Sequence, residues 1–330
     1  MTCSREHFAV VRYHEGLHDV WNNVVKKSET GTLLHLREFC THHAYKFDEA
    51  SVIITRDDQP FAVLPGNVVT NKSGDLEFWS HSFLTYGGLV RISSSATTMI
   101  PALTAVRDYL IQEGYSKLVY KPVPWVFHQY PDESDTHALW TLGGYPIRRD
   151  LSSVSKLPLM ESRIAHGRRS RARKAHRNGY TVQQTTDTEE FHTVLVRRLA
   201  ARHNLIPAIS QDDLDLLLNR FPENVRIFGC GVNGEIAAGA LVFDCGNTIH
   251  FQYLTGTDEG YAQCAMDLLI PYVTNLYCDT AQYVSFGIST EGEQAALNPG
   301  LVDYKESWGT TAVTFDRWEL PLFGSPIKPS

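Results

Sequence analysis

The residues best suited to chemistry lie in one stretch near the end of the chain, FGISTEGEQAALNPGLVDYKESWG at 286–309. An apolar run typical of a buried strand is followed there by Ser289 and Glu291. A Gly/Asn/Pro turn with Asn298 then leads to Lys305. A carboxylate such as Glu291 accepts a proton from an ammonium group or orients an amine, or else only hydrogen-bonds the turn. Because ligands collect outside strand ends of this kind, the stretch predicts a polar site.

The basic segment RIAHGRRSRARKAHRNG at 163–179 holds six arginines and a lysine and no acidic residue. Three interpretations are open: a solvated surface, a nucleic-acid-binding surface, or a site for phosphates of a small-molecule or tRNA substrate. In the third, Arg168, Arg169 and Arg171 hold the phosphates, because guanidinium groups match phosphate oxygens bidentately. Nucleic-acid binding as the main function is disfavoured, since the whole chain is acidic and has no recognisable nucleic-acid fold signature.

A turn from strand to helix offers a different kind of site. The segment HFQYLTGTDEGYAQCAMDLLI at 250–270 reads as a strand that passes through a turn at 256–262 into a helix. Free N–H groups at a helix N-terminus attract anions, so this turn suits a pyrophosphate; an ordinary strand-to-helix connection is the alternative. In the strand itself, Gln252 and Tyr253 suit polar recognition.

In the first half of the chain, SHSFLTYGG brings His81 and Tyr86 to a Gly-Gly loop. Glycines let a backbone and a ligand approach each other closely, so these two side chains are candidates for substrate binding. A turn that buries a tyrosine is the alternative interpretation.

Composition limits the classes of protein. The chain has 330 residues, is 43% hydrophobic and carries a formal net charge of -7, which excludes a disordered chain and allows one large or two medium domains. It has no apolar run of about 18 residues, and its first residues, MTCSREHFAV, lack the apolar segment of a signal peptide, so we expect a cytoplasmic protein without a membrane span. The six cysteines, Cys3 among them, are scattered without metal-ligand spacing, and we expect reduced core thiols and no metal.

The elements that must position these residues follow the same order twice. A strand, a turn and a strand occupy 51–65 and recur at 225–243, where Asn233-Gly234 is a hairpin signal. Helical patterns precede each hairpin, and a helix followed by an apolar strand comes later in each half; the apolar residues of AMDLLIPYVTNLY fit one helix face. The pattern predicts an α+β unit in two copies, residues 1–150 and 151–330.

This arrangement resembles the GNAT acyltransferase fold in the doubled form known from Fem-type peptidoglycan aminoacyltransferases. It is more closely similar to the Fem-like GNAT proteins associated with bacterial capsule and O-antigen synthesis. SHSFLTYGGLV, SRARKAHRNG, HFQYL and FGISTE carry the resemblance, and LNPGLVDYKESWG is its most specific part. A lysine in a segment that ends in Trp-Gly is similar to the Fem-type lysine that contacts the reacting carbonyl. The resemblance therefore implies that role for Lys305.

The resemblance also implies an activity, which is transfer of an acyl or aminoacyl group to an amine. It favours acyl-CoA as the donor and an amine on a cell-envelope glycan precursor, an amino sugar or nucleotide-sugar, as the acceptor, with the catalytic site in the second domain. Glu291 is then the weaker candidate for proton acceptor. The predicted substrate-binding residues are His81, Tyr86, Arg168, Arg169, Arg171, Gln252, Tyr253, Ser289 and Asn298.

Two alternatives remain beside the acyl-CoA enzyme. The chain lacks the Arg/Gln-x-x-Gly-x-Gly/Ala loop that commonly surrounds the pyrophosphate of coenzyme A, and DEGYAQCAMD stands there with only Gly260. A Fem-type enzyme that uses aminoacyl-tRNA does not need that loop. A non-catalytic binding protein of GNAT fold is the third possibility. No serine or cysteine lies in a recognisable nucleophile motif, so we expect no covalent enzyme intermediate.

Overall fold

The computed structural model describes residues 6–42, 46–92, 95–203 and 206–323. It divides the chain into two compact units: unit 1 is residues 1–150 together with the chain from Thr314 onward, and unit 2 is Leu151–Val313. The sequence-based division places everything after residue 150 in the second domain. The structure differs at the end of the chain, because Trp318 and Leu320 join the apolar core of unit 1.

The helices and strands are numbered in chain order. Unit 1 begins with β1 (Phe8–Arg12), α1 (His18–Lys27), α2 (Arg37–Cys40), β2 (Asp48–Glu49), β3 (Val52–Arg56), β4 (Gln59–Leu64), β5 (Asn67–Thr70), β6 (Leu76–Trp79), β7 (Val90–Arg91), α3 (Ala96–Gln112), β8 (Lys117–Tyr120) and α4 (Ser134–Thr141). There follow β9 (Tyr145–Lys156), α5 (Arg168–Arg177), β10 (Thr181–Thr185), α6 (Thr188–His203), α7 (Gln211–Arg220), β11 (Val225–Gly231), β12 (Ala238–Asp244), β13 (Thr248–Gly256), α8 (Asp258–Ala262), α9 (Ala265–Leu276), β14 (Tyr283–Ile288), β15 (Thr290–Glu291), β16 (Ala296–Leu297), α10 (Pro299–Glu306) and β17 (Thr311–Pro321).

Unit 1 contains two sets of paired strands. The first has the order β1-β3-β4-β7, and the second has the order β17-β8-β6-β5-β2. Strands β6 and β8 run parallel, whereas β17 and β8 run antiparallel. Helix α3 buries Met99, Leu103 and Val106 in the same core as Leu118 and Leu320. Strand β17 is therefore held in unit 1 by both backbone pairing and apolar burial.

Unit 2 is built on one sheet with the strand order β10-β11-β12-β13-β14-β9. Strands β10 to β13 pair antiparallel, β13 and β14 pair parallel, and β14 pairs antiparallel with β9. Helix α9 packs on this sheet through Leu269, Ile270 and Val273, which are fully buried. Helix α5 in turn packs against α9.

Local sequence explains the two predicted hairpins, and both are confirmed. Asp57 and Asp58 join β3 to β4 with φ of 50° and 62°, the left-handed conformation of a two-residue turn. Asn233 and Gly234 lie between β11 and β12 with φ of 57° and 92°. The predicted helix at AMDLLIPYVTNLY is also confirmed as α9, except that Leu276, its last residue, is exposed.

One of the helical patterns that precede the first hairpin, LREFCTHHAYKF at 36–47, is helical in only part of its described residues. The pattern LREFCTHHAYKF forms only the single turn of α2, and residues 43–45 within it lie outside the described residues. No helix in the described part of the chain is long and apolar enough to cross a bilayer.

The described cysteines are mostly core residues. Cys40, Cys230, Cys245 and Cys264 are buried, and Cys278 is partly exposed. Burial raises the pKa of the Cys40 and Cys230 thiols to about 12, so both are neutral thiols at physiological pH. Cys3 lies outside the described residues.

Candidate active site

A pocket of about 600 Å³ opens in unit 2 beside the parallel pair β13 and β14. These strands are in register only at Thr248–His250 and Tyr283–Ser285, and they diverge beyond those residues. The residues that follow on each strand line the pocket, Phe251 to Leu254 on β13 and Phe286 on β14. Its volume is in the range of sites for small-molecule ligands.

Lys305 lies in this pocket on helix α10. Asn298 caps the helix, because its Oδ1 accepts a hydrogen bond from Leu301 N at 2.9 Å, and Pro299 begins the first turn. The Lys305 Nζ donates to Gly287 O at 2.9 Å and to Ile288 O at 2.6 Å. Two of its three N–H groups are therefore occupied, and the third is left for a ligand.

The protein environment of Lys305 favours its neutral amine over the charged ammonium form, relative to a lysine exposed to water. Its side chain is 5% exposed, and no carboxylate of the described residues lies within ion-pair distance of Nζ. Burial lowers the pKa of Lys305 to about 7. The ammonium and the amine are thus both populated near neutral pH.

An irregularity in β14 presents the two carbonyls to Lys305. The register between β14 and β9 shifts between Ser285 and Ile288, and Gly287 within this shift has a φ of 72°. Residues with a Cβ rarely adopt that conformation, so glycine is required at this position. The bulge is therefore part of the site.

His250 lies beside Lys305 at the point where the strands separate. It is buried, and its Nδ1 is 3.1 Å from Ser285 Oγ. Burial first, and then the charge of Lys305, lower the pKa of His250 to about 4. His250 is consequently a neutral imidazole at physiological pH and does not compete with Lys305 for a proton.

The other predicted residues near the end of β14 meet through Asn298. Its Nδ2 donates to Glu291 Oε1 at 2.7 Å, and its backbone N donates to Ser289 O at 2.9 Å. Asn298 lines the pocket, as do Gln252 and Tyr253 of β13. The structure thus brings Gln252, Tyr253, Asn298 and Lys305 together, with Ser289 buried and Glu291 exposed next to them.

Three pocket residues whose side chains can form hydrogen bonds were not predicted from the sequence. Tyr304 precedes Lys305 on α10, and Arg198 and Tyr261 lie on α6 and α8. The guanidinium of Arg198 is 4.2 Å from the centre of the Tyr261 ring, and its Nη1 is 3.1 Å from Asp258 Oδ1. Nothing in the local sequence RRLAARH distinguishes Arg198 from its neighbouring arginines, whereas the position of Tyr304 beside Lys305 was a usable signal.

The structure gives Arg168 and Arg171 an environment different from the predicted one. Arg168 is 9% exposed, and its Nη1 donates to Asp267 Oδ1 at 3.0 Å. Its guanidinium also lies 4.3 Å from the centre of the Trp308 ring. Arg171 Nε donates to the same oxygen of Asp267 at 3.0 Å. These bonds join α5 to α9 and to the residues that follow α10, and they engage Nη1 of Arg168 and Nε of Arg171 with Asp267; Arg169 is exposed and pairs with Glu161.

The turn at 256–262 differs from the predicted anion site. Thr257 Oγ1 accepts from Gly260 N at 2.9 Å, and Tyr261 N donates to Thr257 O. A Cβ at Gly260 would lie 2.0 Å from Ala237 O, so the turn is packed against a neighbouring backbone. Its first turn also carries Asp258 and a second carboxylate, which repel an anion. The N–H groups of Gly260 and Tyr261 are therefore already hydrogen-bonded within the turn.

His81 and Tyr86 belong to unit 1, and neither lines this pocket. His81 is fully buried with Nε2 3.1 Å from Cys40 O, and Tyr86 OH donates to Thr32 Oγ1 at 3.1 Å. Burial and these internal bonds make Tyr86 part of the core of unit 1 in the described structure.

Comparison with known proteins bears directly on this site. Residues 162–306, which include α5, the pocket strands and Lys305, match the family model described as "Acetyltransferase (GNAT) domain". Residues 162–306 are therefore similar to a GNAT acyltransferase domain. The prediction of an acyltransferase is thereby confirmed. No curated protein matches the sequence.

Solved structures confirm the doubled, Fem-like GNAT fold predicted from the sequence. FemX superposes with a TM-score of 0.69 and 11% identity over 94% of this chain and 97% of that chain. L-PGS from Bacillus licheniformis gives 0.59 and 12% over 91% and 90%. The tandem GNAT protein from the clavulanic acid biosynthesis pathway, solved without AcCoA, gives 0.52 and 11% over 97% and 100%. At these identities the likeness establishes the α+β fold.

Proposed function

We propose that this GNAT chain transfers an acyl group from an activated carbonyl donor to an amine on a cell-envelope glycan precursor. The observation that carries the proposal is Lys305, a buried lysine that two main-chain carbonyls hold in the pocket of unit 2. A cation in a largely apolar pocket interacts strongly with negative charge, because little solvent screens it. The acceptor class rests on the family resemblance of the sequence.

The reaction needs charge stabilisation at one atom and loss of one proton at another. The amine nitrogen attacks the carbonyl carbon and forms the C–N bond, and the carbonyl oxygen becomes negative. The third N–H of Lys305 donates to that oxygen. The bond from the carbonyl carbon to the leaving group then breaks, the leaving thiolate or alkoxide takes up a proton, and the nitrogen loses one.

Glu291 is the proposed acceptor of the proton from the amine. It is an exposed carboxylate whose Oε1 is fixed by Asn298, a pocket residue. This bond holds the carboxylate next to the pocket, where an incoming ammonium group passes. Deprotonation there produces the free amine that the attack requires.

Acyl-CoA is the first candidate donor, because the matched family model describes an acetyltransferase domain. An aminoacyl-tRNA is the second candidate, and a specific observation favours it. The turn at 256–262 suits a pyrophosphate less well than a glycine-rich loop would, since Gly260 N is occupied and Asp258 and Glu259 lie in the first turn. The family resemblance of the sequence also includes Fem-type enzymes that use such a donor.

Donor consumption in the presence of glucosamine and of a nucleotide-linked amino sugar tests the proposal. The native protein is incubated with acetyl-CoA, and free thiol is measured; in parallel it is incubated with aminoacyl-tRNA, and amide product is measured by mass spectrometry. We expect one donor to be consumed only when an amine is present, with loss of the product in Lys305→Ala. Binding of either donor by calorimetry without any turnover would instead support the non-catalytic alternative.

A further inference from the structure

Unit 1 contains a second buried lysine, Lys121, directly after the last residue of β8. Its Nζ donates to Ser82 O at 3.2 Å and to Leu84 O, and its side chain is buried. Burial, and next the charge of Arg317, lower the pKa of Lys121 to about 7. Like Lys305, it is anchored by two main-chain carbonyls and has a third N–H to offer.

The strand register places a second cation beside Lys121. Strands β17 and β8 pair antiparallel with Trp318 opposite Tyr120, so Arg317 and Lys121 occupy the next position on the two strands. Trp318 and Tyr120 point into the apolar core. Successive side chains of a strand alternate between faces, so Arg317 and Lys121 share the opposite face, where side chains directly across from each other lie about 5 Å apart at Cβ.

Neither cation has a carboxylate within ion-pair distance among the described residues, although carboxylates lie on the same face. Glu77 Oε1 and Glu319 Oε2 lie 3.1 Å and 3.0 Å from Lys117 Nζ, so both carboxylates form ion pairs with that lysine. The Nε of Arg317 is buried and has no hydrogen-bond partner in the described chain. Its guanidinium lies over the Trp79 ring, 5.1 Å from the centroid.

The ion pair of Arg148 with Asp150 on β9, whose charges both act on Arg317, adds no net negative charge. Arg148 donates from Nε and Nη2 to the two carboxylate oxygens of Asp150, at 2.7 Å each. Burial, and then the charge of Arg148, lower the pKa of Arg317, and Asp150 offsets this in part. Lys121 and Arg317, which we call the cationic cluster, therefore keep an excess of positive charge even when Arg148 and Asp150 are counted with them.

His81, which directly precedes Ser82, has a strained backbone. Its φ is 63°, its side chain is fully buried, and its Nδ1 has no hydrogen-bond partner among the described residues. The adjacent Ser82 Oγ is likewise buried and unpartnered there. Burial, and next the charge of Lys121, lower the pKa of His81, so the ring is neutral; its one N–H is on Nε2 and donates to Cys40 O, which leaves Nδ1 as an acceptor. Strain of this kind in a non-glycine residue is concentrated at functional sites.

We propose that Lys121, Arg317 and Ser82 form a binding site in unit 1 for an oxyanion, the carboxylate or phosphate group of a small ligand. A buried cation beside a half-buried one without a counter-ion is unfavourable, and a bound oxyanion supplies the missing charge. Unpartnered donors on the same three residues, the third N–H of Lys121, Nε of Arg317 and the hydroxyl of Ser82, supply the hydrogen bonds. The site shares no residue with the pocket around Lys305 and does not depend on its function.

Thermal unfolding of the full chain at pH 6.5, where Lys121 is largely protonated, tests this site. The native protein, Lys121→Met, Arg317→Met and a control variant, Arg107→Gln on α3, are each measured in sodium chloride, sodium phosphate and sodium acetate at equal ionic strength. We expect phosphate or acetate to raise the Tm of the native protein and the control saturably, by a few degrees. The rise should be absent in both cluster variants.

The same measurements separate binding from a structural role. In chloride, Lys121→Met should melt no lower than the native protein, because it removes a buried charge that has no counter-ion. A rise of the same size in native protein and both cluster variants would show a general salt effect and overturn the site, as would no rise with either anion. A rise with phosphate alone, or with acetate alone, identifies the oxyanion.

Discussion

A buried lysine without a carboxylate partner is uncommon, and residues 6–323, as far as the structure describes them, contain two. At Lys305 and at Lys121, pairs of backbone carbonyls replace the water that an exposed ammonium group would bind. Carbonyl dipoles stabilise the cation less completely than water or a carboxylate does, and the pKa of each lysine falls to about 7. Each side chain therefore changes its charge near neutral pH, in the range where a small change in surroundings has a large effect.

The pH dependence of turnover should report the charge of Lys305. If its ammonium group stabilises the oxyanion, kcat falls as the pH rises through about 7, because the cation is lost there. Lys305→Ala should lower kcat by about 10²–10³-fold. Lys305→Arg keeps a cation at every pH tested, so its residual activity should not fall above pH 7. The measurement is kcat against pH for the three proteins.

The fold of these variants must be shown to be intact by circular dichroism. An unchanged kcat in folded Lys305→Ala would remove this residue from the mechanism. A kcat that rises through pH 7 in the native protein would instead indicate that neutral Lys305 acts as a base.

Asp135 of unit 1 gives a residue-scale prediction about stability. Burial raises the pKa of Asp135 to about 6, and its Oδ2 accepts from Tyr120 OH at 2.7 Å. Because the folded state holds this proton to a higher pH than the unfolded chain does, stability decreases as the pH rises from about 4 to about 6. Asp135→Asn removes the charge and keeps an acceptor. It should raise the Tm at pH 7.5 by about 2–4 °C, on the order of 1 kcal/mol, and by less at pH 5.

Differential scanning calorimetry of the two proteins at both pH values measures this effect. An equal difference in Tm at pH 5 and pH 7.5 would mean that the carboxyl charge is not its cause.

Among the elements, α10 depends on α5 for its position. Arg168 contacts Asp267 of α9, the Ser307 hydroxyl and the Trp308 ring, and the last two residues directly follow α10. Arg168→Gln should lower the free energy of unfolding by about 3 kcal/mol, because it leaves a buried carboxylate with one partner fewer. Arg169→Gln, with an exposed side chain on the same helix, should change it by less than about 1 kcal/mol.

Urea unfolding curves give both values. If Arg168→Gln kept the native stability while the apparent KM for a phosphate-bearing substrate rose, the arginine would be a ligand-binding residue, as its sequence context indicates.

The sequence predicted elements well where local chemistry decides them. Asp57-Asp58 and Asn233-Gly234 mark turns because their backbones tolerate positive φ, and the stripe on α9 follows helical spacing. Lys305 was singled out in the sequence because LNPGLVDYKESWG resembles a family motif. The partner of Arg168 could not be found, since Asp267 lies 99 positions away and only the packing of α5 on α9 brings the two together.

For the whole molecule, the assignment of the last strand to unit 1 is the feature that sequence order conceals. Leu320 of β17 is fully buried in the core of unit 1, and Leu269 of α9 is fully buried in the core of unit 2. Leu320→Ala should lower stability by about 2–5 kcal/mol and speed hydrogen exchange in β3 and β8. Leu269→Ala should do so in β11 and β12. Faster exchange within 151–313 in Leu320→Ala would favour the sequence-based division.

The anchoring of Lys305 by main-chain carbonyls has an evolutionary consequence. Every residue type supplies a carbonyl, so substitutions of the side chain at position 288 leave that hydrogen-bond acceptor in place. Of the two acceptor residues, Gly287 is the constrained one, because its φ of 72° excludes most other residues. The hydrogen bonds of Lys305 can therefore be retained while most of the surrounding residues are substituted. An alignment that compares side-chain identities would not detect that these main-chain acceptors are retained.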